Sequence, residues 1–194
     1  REVYSEAFKV LDLVNKERAK QGVSPLKMDA SLLDTAMLRG FENVLYWSHT
    51  RPSGSQCFSA NSLMYGENIA YGSSTAEGVM NQWMNSEGHR ANILSKGFAT
   101  IGIGCVCLNN AYYWVQCFGE DLSTEAVRKS YSDRNNSRTV LVKKDPEYYK
   151  ASLYISKTVL KKGQTAKVRV RWDDSLLLNN SGAEFKSSDS SICT

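Results

Sequence analysis

Two apolar runs, Thr100–Leu108 and Ala111–Phe118, meet at Asn109–Asn110. A two-residue hairpin turn needs positive φ at its central positions, which asparagine tolerates, so this stretch predicts a β-hairpin with a set register. In that register Cys105 faces Trp114 and Gly102 faces Cys117. Cys117 then projects from the opposite side of the sheet to Cys105 and Cys107, which disfavours a disulfide inside the hairpin. Cys57 or Cys193 becomes the better partner for any of the three. Five cysteines are an odd number, so at least one is a free thiol or bonds to another chain. Pairing and redox compartment stay open. Cys105-x-Cys107 has neither the spacing nor the second pair of a four-cysteine zinc site.

Upstream of the hairpin the periodicity is helical. Ala7, Phe8, Leu11 and Val14, with Val10 beside them, repeat on one face, and Gly22 marks a stop. A second helix is expected after an Asp29 cap, turning Leu32, Leu33, Ala36 and Phe41–Leu45 inward. Residues 48–74 are rich in Ser, Gly and Asn and predict a long loop region broken by a short strand near Ile69–Tyr71. Thr75 can cap a third helix that buries Val79, Met80 and Trp83, with Gly78 where a full capping box would place Glu.

The 194 residues suffice for one ordinary domain and a small second unit. With 42% apolar residues and 3 prolines, the composition excludes a disordered or linker protein. No run approaches the roughly 18 apolar residues of a spanning helix, so an integral membrane protein is not expected. The chain opens at Arg1 without a secretory leader, which a trimmed form would also lack. Charge divides the chain: residues 1–120 hold 10 Lys and Arg against 11 Asp and Glu, while residues 121–194 hold 14 against 9. The first part therefore lacks the basic stripe of a nucleic-acid platform, and the scattered basic residues of the second read as a solvated face. The domains expected are 1–120, a polar linker at 121–150, and a unit at 151–194 in which Ala166, Val168, Val170 and Trp172 alternate as a half-buried strand. Its 44 residues fall well short of the ~100 of an immunoglobulin-like sandwich, so it is either a fragment of a longer repeat, the favoured reading, or leans on the first domain.

His49 and His89 are the only histidines, so any two-histidine metal site or histidine base must use them. Both sit in polar surroundings, and Glu67 lies between glycine-flexed segments as a ligand or base. The plainer alternative is that all three are surface groups or local caps. A Cys57–histidine dyad competes with Cys57 as half of a disulfide. Trp47, Tyr65, Tyr71, Trp83, Tyr112, Tyr113 and Trp114 line a groove or simply pack. A G-x-S-x-G elbow, a phosphate-binding loop and H-E-x-x-H are all missing.

Four motifs in order carry a family resemblance across about residues 5–119. They are His49-Thr-Arg-Pro-x-Gly54, Gly66-Glu-Asn-Ile-Ala70, Trp83-Met-Asn-Ser-x-Gly-His-Arg-x-Asn-Ile-Leu94, and Ile101-Gly-Ile-Gly104. The sequence resembles the bacterial SCP-like extracellular branch of the CAP superfamily, which includes cysteine-rich secretory proteins, antigen 5 and plant pathogenesis-related-one proteins. The resemblance implies an α+β fold, an α-β-α sandwich around a small antiparallel sheet. It also implies a cleft holding two histidines and two acids, in some members with a divalent metal such as zinc. Carried over, these are His49, His89 and Glu67. The second acid position falls on Ser86, and Glu87 is one residue on, about 100° around a continuous helix. Arg51, Asn68, Tyr71, Trp83 and Arg90 become cleft-lining positions. The tail, through Leu160-Lys-Lys-Gly-Gln-Thr-Ala166 and Lys186-Ser-Ser-Asp-Ser-Ser-Ile192, resembles part of a bacterial group 2 immunoglobulin-like domain, a repeat of exported surface proteins.

The function implied is a secreted or cell-surface binding module, its cleft offered to a lipid, glycan, peptide or host component. A structural role for the His/Glu cluster is the second reading. A zinc-assisted hydrolase with Glu87 or a water as base is the third.

Overall fold

The computed structural model describes residues 1–122, 126–127 and 131–142, and the backbone of strands at 151–155, 168–172 and 176–177. Two compact units divide at residues 143 and 144.

In the first unit, helix α1 (Tyr4–Lys20) is followed by β1 (Lys27–Met28), α2 (Ala30–Leu45) and a 3-10 turn at Cys57–Ala60. Strand β2 (Gly66–Tyr71), helices α3 (Ala76–Met84) and α4 (Glu87–Leu94), and strands β3 (Thr100–Leu108) and β4 (Ala111–Gly119) complete it. The sheet order is β1-β3-β4-β2. Strand β1 runs parallel to β3, and the other pairings are antiparallel.

The hairpin has the expected register, with Cys105 opposite Trp114 and Gly102 opposite Cys117. Asn109 and Asn110 both take positive φ, 49° and 62°, as a turn of this twist demands. The expected caps also form. Asp29 Oδ1 accepts from the Leu32 amide at 2.9 Å, and Thr75 Oγ1 accepts from Gly78 at 3.2 Å. Gly22, at φ 63°, ends the turn after α1.

Side chains alternate across this sheet and so sort the helices onto its two faces. Gly102 and Gly104 point toward α2, and a Cβ on either would overlap the backbone of Leu32 or Ala36. Their role is to let a helix lie close on the sheet. Ile101, Ile103 and Cys105 point the other way, into a core shared with Ala7, Val10 and Val14 of α1, Val79 and Trp83 of α3, and Ile93 of α4. The result is a mixed α/β fold with a small sheet between α2 and the other three helices. Arg18 is buried on α1 and donates to the carbonyls of Ile93 and Ser95 at 2.8 Å and Phe98 at 3.1 Å. It thereby satisfies the open C-terminal end of α4.

Several expectations change. The end of α2 buries Arg39, Glu42 and Asn43, while Phe41, Val44 and Leu45 are only partly covered. The strand expected near Ile69–Tyr71 begins at Gly66, because β4 continues opposite it. The third helix breaks at Asn85–Ser86 and restarts as α4, so the 100° offset of a continuous helix does not apply there. Residues 131–142, within the stretch predicted as linker, belong to the first unit. Tyr131 stacks on Tyr4 at 5.0 Å, and Arg134 and Arg138 reach the buried Glu2 carboxylate at 2.8 and 2.7 Å.

In the second unit, strands β5 (Ala151–Ile155), β6 (Val168–Trp172) and β7 (Leu176–Leu177) form an antiparallel sheet in that order. The motif residues 160–166 and 186–192, and Cys193, lie outside the described residues. Cys57, Cys105, Cys107 and Cys117 are free thiols.

Candidate functional site

His49 follows α2 in a loop that folds back on itself. Thr50 pairs with Gln56, the Cys57 amide donates to the His49 carbonyl at 3.0 Å, and Gly54 turns the chain at φ 87°. The loop thereby sets Cys57 beside His49. Strand β2 supplies Glu67 from the sheet face that α2 covers, opposite Cys117. His49 Nδ1 lies 2.8 Å from Glu67 Oε1, with the imidazole more than half exposed (57%) and the carboxylate buried (1%).

Behind this pair runs a chain of buried charges. Arg39 donates through Nε to Glu67 Oε2 at 2.8 Å and through Nη2 to Oε1 at 3.2 Å. It also donates through Nη1 to Glu42 at 2.6 Å and through Nη2 to the Ser48 carbonyl at 2.7 Å. Arg51 grips the other side of Glu42 at 2.7 Å. The order is Arg51–Glu42–Arg39–Glu67–His49, two guanidinium groups against two carboxylates, so charge balances without solvent. Burial works to raise the Glu67 carboxyl, but hydrogen bonds from His49 and Arg39 and the guanidinium charge outweigh it. They hold Glu67 below the usual carboxylate range.

Cys57 Sγ joins this end of the chain. One ligand atom each from His49, Cys57 and Glu67 lies within 4.8 Å of the others. Burial first, then the Glu67 charge, pushes the Cys57 thiol up to about 11, so the resting group is a protonated thiol. That disfavours Cys57 as a nucleophile paired with His49.

His89 stands on α4, half-buried. Burial, and then the charge of His49, lower its pKa and favour the neutral imidazole. Its backbone carbonyl accepts from Asn68 Nδ2 at 3.0 Å, which ties α4 to β2. Asn68 projects from the opposite face of β2 to Glu67 and is fully buried, accepting from Asn92 at 2.8 Å and donating to Gln116 at 2.9 Å. It fastens the helix rather than lining a cleft. Trp83 is likewise wholly buried, its indole N–H directed at the Ile69 carbonyl at 3.4 Å. Arg90 caps the end of α3 through the Met84 carbonyl at 2.7 Å. Ser86 is the N-cap position of α4 and Glu87 an exposed residue of its first turn. Tyr71 is exposed, in contact with Trp47 and Tyr113.

Arg39 and Glu42 were not foreseen in the sequence. Their signal was present, since Arg39 continues the stripe Leu32–Ala36–Asn43 on the buried face of α2, where a charge demands a partner. The partner, Glu67, is 28 residues away and invisible to helical spacing.

Residues 11–118 match the model of the cysteine-rich secretory protein family, CAP. The protein YkwD of Bacillus subtilis, uncharacterized, is 41% identical over 118 residues, covering 57% of this chain and 45% of its own length. An uncharacterized membrane protein of the same organism, YlbC, is 30% identical over 112 residues, covering 54% of this chain and 32% of its own. The chain thus spans less than half the length of these curated relatives. An extracellular SCP-domain protein from Bacillus anthracis superposes with a TM-score of 0.53 at 26% identity, covering 61% of this chain and 41% of the other. An outer surface protein of Borrelia burgdorferi shares the fold, with a TM-score of 0.52 at 17% identity, covering 62% and 97%. No helix among the described residues is long and apolar enough to cross a membrane. By its four ordered motifs, its layered fold and this family match, the chain belongs to the CAP, or cysteine-rich secretory protein, family.

Proposed function

We propose that this chain is an extracellular binding module whose cleft, built around His49, Glu67 and His89, holds a small ligand together with a divalent cation. The observation that carries the reading is the buried charge chain ending on an exposed imidazole. Glu67 occupies Nδ1 of His49 and fixes the ring, which leaves Nε2 free to meet a ligand. Burial keeps His89 neutral and ready to donate a lone pair. The two imidazoles would be the zinc ligands, with Glu67 as the orienting carboxylate and Cys57, whose sulfur lies within 4.8 Å of the His49 and Glu67 donor atoms, as a further donor. The bound cation would supply a Lewis-acidic point for an anionic or carbonyl group of the ligand. The immunoglobulin-like unit expected from the tail would serve as a spacer or adhesion arm.

A structural reading is favoured by one observation: Arg39 and Arg51 tie α2, the loop at 46–59 and β2 together through Glu42 and Glu67. Calorimetric titration of metal-free protein with zinc separates the two. One-to-one binding that weakens at least tenfold, about 1.4 kcal/mol, in His49→Ala and disappears in the His49→Ala, His89→Ala double variant is expected. Absent binding by the wild type, or equal binding by the variants, would leave the cluster as a structural tie.

A further inference from the structure

Beside this site three aromatic rings share the sheet face that α2 covers. Tyr71 and Tyr113 are directly opposed on β2 and β4, with ring centroids 5.0 Å apart. Trp47, from the loop that carries His49, closes on both at 6.1 and 6.4 Å. Neither Trp47 nor Tyr71 is spent on the core: they remain 48% and 53% exposed. The cluster lies four residues along β2 from Glu67, roughly 13 Å at the strand rise.

The surroundings narrow what such a surface fits. The three segments that deliver the rings, 43–50, 68–76 and 108–116, contain no Asp, Glu, Lys or Arg. Besides the His49 imidazole, the polar side chains in these segments are Ser, Thr, Asn, Gln116 and tyrosine hydroxyl, groups that hydrogen-bond without charge. A nucleic-acid strand or an anionic membrane would call for flanking cations. A lipid tail would call for full apolar burial, whereas Trp47 and Tyr71 stand half exposed among small polar side chains. Flat, amphipathic rings at low entropy cost, among small polar side chains, suit a neutral ligand with apolar C–H faces and hydroxyl edges. We infer that Trp47, Tyr71 and Tyr113 form a stacking platform for a neutral glycan, adjoining the His49–Glu67 site and independent of any cation there.

The test uses the full chain in EDTA, so that it does not depend on the cation, with chitohexaose and cellohexaose as probes, followed by tryptophan fluorescence and calorimetry. Saturable binding of either sugar is expected, weakened at least about tenfold in Trp47→Ala and in Tyr71→Ala and retained in Tyr71→Phe. Because both rings are exposed, the variants should keep the wild-type melting temperature, which separates lost stacking from lost fold. Failure of both sugars to bind at millimolar concentration would overturn the inference. So would sugar binding indifferent to the rings, or ring-dependent binding to phosphatidylcholine vesicles without sugar binding. A zinc titration that succeeds while the sugars fail would leave the cleft reading standing and remove the platform.

Discussion

Replacing Arg39 with methionine removes the cation from the centre of the buried chain while nearly keeping its volume. Glu67 and Glu42, each with a side chain only 1% exposed, then face each other's element without a guanidinium between them. Arg51 still holds Glu42, and His49 still reaches Glu67. Removing one partner of a buried ion pair costs about 3–5 kcal/mol, because the orphaned charge stays desolvated. For a unit of this size that lowers the melting temperature by roughly 10–15 °C.

The pH dependence makes the test specific. In the wild type Glu67 is held below its ordinary 4.5, so its contribution is present above that value and is lost as pH falls through the folded pKa. Without Arg39, burial dominates and raises the Glu67 carboxyl, so the variant gains relative stability as protonation relieves the buried charge. The deficit should therefore be largest near pH 7 and shrink toward pH 4. Urea unfolding followed by circular dichroism across that range reads it directly. A deficit under about 1 kcal/mol at pH 7, or one independent of pH, would refute the idea that Arg39 neutralises a buried Glu67.

Other consequences are equally direct. Truncation after Leu122 removes Arg134 and Arg138 from Glu2, so it should be less stable to urea than truncation after Lys143 by roughly 1–3 kcal/mol. Equal midpoints would show that residues 131–142 contribute nothing. Gly104→Ala forces a Cβ into the Ala36 backbone and should cost at least about 2 kcal/mol in thermal unfolding; an unchanged melt would contradict the close packing of α2 on β3. Cys57, buried with its thiol raised to about 11, should resist iodoacetamide at pH 8 in the native protein, while the more exposed Cys107 reacts first. Rapid native labelling of Cys57 by peptide mapping would argue against the buried thiol.

Local chemistry was legible in the residues. The hairpin register, the Asp29 and Thr75 caps and the Gly22 stop each follow from interactions within a few positions, and each stands where periodicity and turn chemistry put it. Family motifs also pointed to His49, Glu67 and His89 as one neighbourhood. What they could not convey is the direction of a side chain across the sheet. Alternation places Glu67 on the α2 face and Asn68 on the α4 face, so one strand serves two layers with adjacent residues.

Tertiary structure alone decided the rest. Arg39 looks out of place on an apolar helix face until β2 brings Glu67 to it from 28 residues away. Cys57 becomes part of the site only because the 49–57 loop doubles back, and the break at Asn85–Ser86 reorients everything that follows Trp83. Helix caps and turns are chosen by short-range geometry that any segment carries with it. A buried charge is chosen by its partner, and that partner is supplied by the fold.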